Sequence, residues 1–205
     1  MFNNLPETMN KTPSPVINQK TGYEFFVNEK AETNLHIIDF WRWALSNLTS
    51  EITRNMLARF LVAAVLKKHS GVRSEGDIFD IKTDTGLKIE VLSASYLQTW
   101  NNRGMTSLSL MINPNFRLDG EIPLRLSERL RLVDLLVFCL LHNKNEHTLN
   151  PADLAQWTFF VVKADRLEES LADKQSISLS ALKKLNPTVC SFETLKRVIE
   201  NLADD

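Results

Sequence analysis

Residues 80–92 read Asp-Ile-Lys-Thr-Asp-Thr-Gly-Leu-Lys-Ile-Glu-Val-Leu, and the fold turns on how this stretch is parsed. Asp84-Thr85-Gly86 sits between two short alternating runs and makes a tight connection, because glycine enters positive φ at little steric cost. The pattern predicts one strand at about 77–83 and a second at about 87–93. In an extended second strand Leu87, Ile89 and Val91 point one way, and Lys88, Glu90 and Leu92 the other. Asp80 and Glu90 then fall on neighbouring strands, where two hard oxygen ligands can converge on one divalent ion. A cation two residues past the second carboxylate would hold a water there, or as its neutral amine deprotonate it. That position is Leu92.

Outward from the hairpin, periodicity predicts further elements. Residues 35–48 place Leu35, Ile38, Trp41, Leu45 and Leu48 at close to helical spacing. Ser50 offers an N-cap and Glu51 a first-turn acid for a second helix running to about Lys68. Its apolar positions Ile52, Leu57, Phe60, Leu61, Ala64 and Val65 form one broad stripe. Lys67, Lys68 and His69 suit the negative end of its dipole. Beyond the hairpin, residues 107–112 alternate as a third strand. The continuous apolar run 132–141 predicts a central strand buried on both faces, and 157–162 a fifth. A closing helix is expected at about 191–202. Helices, then strands, then helices describe an α/β domain with one mixed sheet. Residues 1–20, carrying Pro6, Pro13 and Pro15 among polar residues, read as a flexible leader to a single domain over 21–205.

Bulk composition narrows the function classes. The 205 residues, 43% hydrophobic and 24% charged, describe a globular chain with a full core. No apolar run approaches a membrane span, and the polar start lacks the pattern of a secretory signal, so a cytoplasmic protein without membrane association is expected. Cys139 lies within an apolar run, so two free thiols are expected, the first buried. The four histidines have no metal-ligand spacing. Trp41, Trp43, Trp100 and Trp157 read as core or core-edge aromatics. A net charge of −1 gives no whole-chain basic excess for nucleic acid. A local basic face remains open through Arg117, Arg125, Arg129 and Arg131, with Lys144 close by in sequence.

The order of helix, strand with Asp, strand with a Glu-x-Lys-like triplet, then Gln resembles the PD-(D/E)xK, restriction-endonuclease-like nucleases. A narrower similarity, to a branch of bacterial proteins of that superfamily, runs through DFWRWALSNL, TRNMLARFLVAAVL, FDIKTDTGLKIEVLSASYLQTW, LVDLLVFCLL and QWTFFVV, spanning about 39–162. The resemblance implies a restriction-endonuclease-like mixed central sheet flanked by helices. It matches Asp80 to the hairpin aspartate, Glu90 to the second carboxylate and Gln98 to the downstream glutamine. Two positions depart from it. Relatives read Ala-Glu-Phe where this chain has Ala58-Arg59-Phe60, and Glu-Val-Lys where it has Glu90-Val91-Leu92.

The two departures favour a degenerate centre. Arg59 puts a permanent cation where an acid is expected, which repels Mg²⁺ or itself neutralises the carboxylates. The resemblance then implies a nuclease-fold protein with an inactivated site and no cofactor, kept for binding DNA or a protein, including a second copy of itself. The alternative is an active Mg²⁺-dependent DNA endonuclease, with Asp80 and Glu90 on the metal and a migrated lysine, Lys88 or Lys82, beside the water.

Overall fold

The computed structural model describes residues 17–73, 79–97, 109–111, 132–167 and 176–204. In chain order its elements are β1 (Phe25–Asn28), β2 (Ala31–His36), α1 (Ile37–Leu45), α2 (Glu51–Val65), β3 (Ile81–Lys82), β4 (Lys88–Ser95) and β5 (Ser109–Met111). These are followed by β6 (Leu135–Leu141), β7 (Trp157–Lys163), β8 (Ser176–Ser178), α3 (Leu179–Lys184), β9 (Thr188–Cys190) and α4 (Phe192–Asp204). The chain is mixed α/β, with a five-stranded sheet in the order β3-β4-β6-β7-β9. β4 and β6 run parallel over seven consecutive pairs, from Ile89 opposite Leu135 to Ser95 opposite Leu141. The other neighbours are antiparallel.

β6 is the axis of the core. All seven of its residues are buried, as the unbroken apolar run requires of a strand covered on both faces. Leu135, Val137, Cys139 and Leu141 join Ile89 and Val91 under Ala58, Leu61 and Val62 of α2 and Leu195 and Ile199 of α4. Leu136, Phe138 and Leu140 join Leu92, Ala94 and Phe160 on the other face, where Ile177 and Leu182 cover them. Burying one such side chain contributes about 1.5–3 kcal/mol. Trp157 is buried and donates its indole N–H to the Pro151 carbonyl at 2.9 Å, which removes the cost of an unmet donor.

Several expectations change. The sheet-facing side of α2 is Thr53, Arg54, Ala58, Leu61 and Val62, whereas Ile52 and Phe60 are 74% and 53% exposed. Two adjacent faces of this helix are apolar, and only the sheet selects which is covered. Of the strand expected at 107–112, the described residues Ser109–Met111 do not join the central sheet: β5 pairs with β8 in a separate two-stranded ribbon. β3 spans only two residues of the expected 77–83, of which 77 and 78 lie outside the described residues, as do 1–16 of the leader and Trp100. Trp43 is 85% exposed instead of core-edge, because it lies on the opposite side of α1 from half-buried Ile37, Ile38, Trp41 and Ala44. Neither cysteine is in a disulfide. No helix among the described residues is long and apolar enough to cross a membrane.

A hairpin absent from the periodicity argument precedes α1. β1 and β2 pair antiparallel around Glu29 and Lys30, both at positive φ (48° and 74°). The chain before it clasps α1: Gly22 and Glu24 offer their carbonyls to the amides of Ile38 (2.8 Å) and Ile37 (3.0 Å). These are two of the donors every helix start leaves open. Gly22, at φ +94°, lies beneath Trp41, and a Cβ there would stand 2.8 Å from the indole ring.

Candidate functional site

The site is assembled where the middle of α2 meets the β3–β4 hairpin. Ser50 caps α2, its hydroxyl accepting from the Thr53 amide at 3.3 Å, and packing of Ala58 and Val62 against Ile89 and Val91 sets the helix phase. That phase sends Arg59, the residue after Ala58, toward the start of β3, where its Nε lies 2.6 Å from Asp80 Oδ1. The Asp80 side chain is 7% exposed and that of Arg59 25%. The second oxygen, Oδ2, accepts the Val91 amide at 2.9 Å, and the Asp80 amide donates to the Ile89 carbonyl at 3.0 Å. Asp80 therefore does two structural jobs at the sheet edge. It pairs a cation of α2 and supplies an acceptor to β4 where β3 has not yet begun.

Glu90 is 5% exposed and faces Leu136 across the parallel ladder. Strand alternation puts its side chain with Leu92 and Ala94, on the face away from α2. Leu92 is 8% exposed and packs in the cluster of Val133, Phe138 and Phe160. A lysine there would bring an ammonium into apolar surroundings, so leucine at this position is a packing residue. Lys82 and Lys88 are direct cross-strand partners and share the Glu90 face, Lys82 exposed and Lys88 half-buried.

Asp80 as placed is not poised for a divalent cation. Both Asp80 oxygens are engaged, one by a guanidinium, and among the described residues no three or more His, Cys, Asp or Glu side chains gather as ligands. Gln98 and the four arginines Arg117, Arg125, Arg129 and Arg131 lie outside the described residues. Lys144 is placed: its Nζ lies 4.5 Å from the Tyr96 ring centroid, a cation–π contact at the carboxyl end of the β4–β6 pair.

Periodicity missed two polar anchors beside the site. Arg54 is only 3% exposed, its Nε donating to Ser93 Oγ at 3.3 Å and its Nη1 to the Thr49 carbonyl at 3.3 Å. Burial pulls its pKa below the usual arginine value, with Glu51 opposing. Asn55 shares Ser93, so two successive α2 residues grip one β4 serine. Asp134, inside the apolar run before β6, accepts the Lys88 amide at 2.7 Å and returns its own amide to the Lys88 carbonyl at 2.9 Å. A charged residue interrupting a buried run was the available signal for Asp134. Arg54 offered none, since an arginine on a helix is ordinarily solvated.

No protein-family model, curated protein or solved structure matches the chain.

Proposed function

We propose that the chain is a restriction-endonuclease-like protein whose metal-nuclease centre has been converted into an ion pair, leaving a module that binds nucleic acid or a protein. The Arg59–Asp80 contact at 2.6 Å supports this reading most directly. The carboxylate that would hold a metal is neutralised by a cation belonging to the fold. The burial of Leu92 supports it independently, because the place expected for a water-activating cation lies within the apolar core.

The experiment is cleavage of single- and double-stranded DNA with Mg²⁺ or Mn²⁺, alongside calorimetric titration of the same ions. No cutting and no strong metal binding are expected. Robust metal-dependent cutting that vanishes in Asp80→Ala would overturn the reading. A DNA complex held through phosphates should weaken steeply as salt is added.

The second reading, a working Mg²⁺-dependent endonuclease, is favoured by one observation: Lys82 and Lys88 share a face with Glu90. On that reading the double variant Lys82→Ala/Lys88→Ala loses cutting, and retention of cutting removes it.

A further inference from the structure

The N-terminal unit of β1, β2 and α1 contains no buried residue, yet its side chains are far from polar. Phe25 and Phe26 are 40% and 43% exposed, Val27 66%, Leu35 58%, Phe40 50% and Trp43 85%. A lone two-stranded ribbon is marginal in water, and so is a helix as short as the nine residues of α1. Both draw stability from an apolar face laid against something else. Among the described residues nothing buries that surface, and it lies on both sides of the ribbon, since successive residues such as Phe25 and Phe26 point to opposite faces.

We propose that this unit is a homodimer interface, covered in solution by the same unit of a second copy. The area is right for it. At ~200 Å² per large side chain, the exposed fractions amount to roughly 700 Å² of apolar surface per protomer, spread over both ribbon faces and one side of α1, against the ~800 Å² each partner gives to a standard interface. The backbone is right as well. β1 and β2 form a two-stranded sheet, so each strand has an edge that carries no ladder in that ribbon. Two copies of one strand pair antiparallel about a two-fold axis, which uses an open edge and brings identical apolar residues together. Charge does not oppose the pairing. Residues 20–45 hold four acidic side chains (Glu24, Glu29, Glu32 and Asp39) against three basic ones (Lys20, Lys30 and Arg42), so the surface is close to neutral and does not repel its own copy. A membrane would also accept exposed Trp and Phe, but the unit lacks the basic excess that anionic lipid attracts.

Sedimentation velocity of the full chain from low to high micromolar protein tests the proposal. A reversible dimer is expected for the native chain. Trp43→Glu and, separately, Val27→Glu should move it to monomer, with far-UV circular dichroism and the main unfolding transition retained because neither side chain is buried within one protomer. A native chain that stays monomeric across the range overturns the proposal, whether or not it co-sediments with anionic phospholipid vesicles. A dimer that survives both substitutions in folded protein overturns it too.

Discussion

Arg59 and Asp80 form an ion pair that ties the middle of α2 to the edge of the sheet. The Asp80 carboxylate is almost out of water and its partner is a quarter exposed, so the pair sits between the surface and buried regimes. Removing one member leaves the other charge poorly solvated, while removing both leaves only a change of volume. Arg59→Leu should therefore cost about 1–3 kcal/mol, below the full penalty of a deeply buried pair because solvent screens the guanidinium. Arg59→Leu/Asp80→Leu should recover part of that loss, limited by the amide of Val91, which loses its acceptor. Urea denaturation of the two singles and the double, combined as a mutant cycle, measures the coupling. The turn residues Glu29 and Lys30 offer an independent check. Both hold positive φ, so Glu29→Asn/Lys30→Gly should stabilise the hairpin by roughly 0.5–1 kcal/mol.

Among the elements, α1 has the most conditional start. Glu24 closes the clasp beneath it, its two carboxylate oxygens accepting the amides of Thr21 and Gly22 at 2.9 Å each. Those backbone bonds, that from Thr21 foremost, lower the Glu24 pKa from 4.5 to about 2. A carboxylate with a depressed folded pKa stabilises above its unfolded value and loses that contribution as pH falls through its folded one. The clasp should thus hold at pH 5 and loosen between about 4.5 and 2. Amide exchange at Ile37 and Ile38 across that window reports it, and Glu24→Gln should remove the pH dependence. Gly22→Ala should loosen the clasp at any pH, through both the positive φ and the approach of Trp41. β6 represents the opposite case. Phe138 is 1% exposed within a fully buried strand, and Phe138→Ala should cost about 3–5 kcal/mol in thermal or denaturant unfolding. A loss under 1 kcal/mol would mean that the two faces of the core collapse around the gap.

At the scale of the whole molecule, the legible parts were those governed by neighbours in sequence. The Ser50 cap, the Gly86 turn at φ +89°, the buried run ending β6 and the closing helix α4 all follow from local sterics and periodicity. The candidate site was half legible. Asp80, Glu90 and Leu92 could be placed on one hairpin because residue type and alternation are local, whereas Arg59 stood out only against the nuclease resemblance. Pairing Arg59 with Asp80 required the phase of α2 against the sheet, which depends on Ala58 and Val62 fitting Ile89 and Val91. Arg54, Ser93 and Asn55 come together for the same reason and lacked a sequence signal. Residues 107–112 could be recognised as a strand, but choosing β8 over the central sheet is a long-range event. By itself the sequence determined the element types and the alternating faces of β4, since backbone geometry and side-chain period need no distant partner. Only the tertiary structure decided which face of α2 is buried, which strand meets which, and that Asp80 answers to a guanidinium, because these depend on packing between segments far apart along the chain.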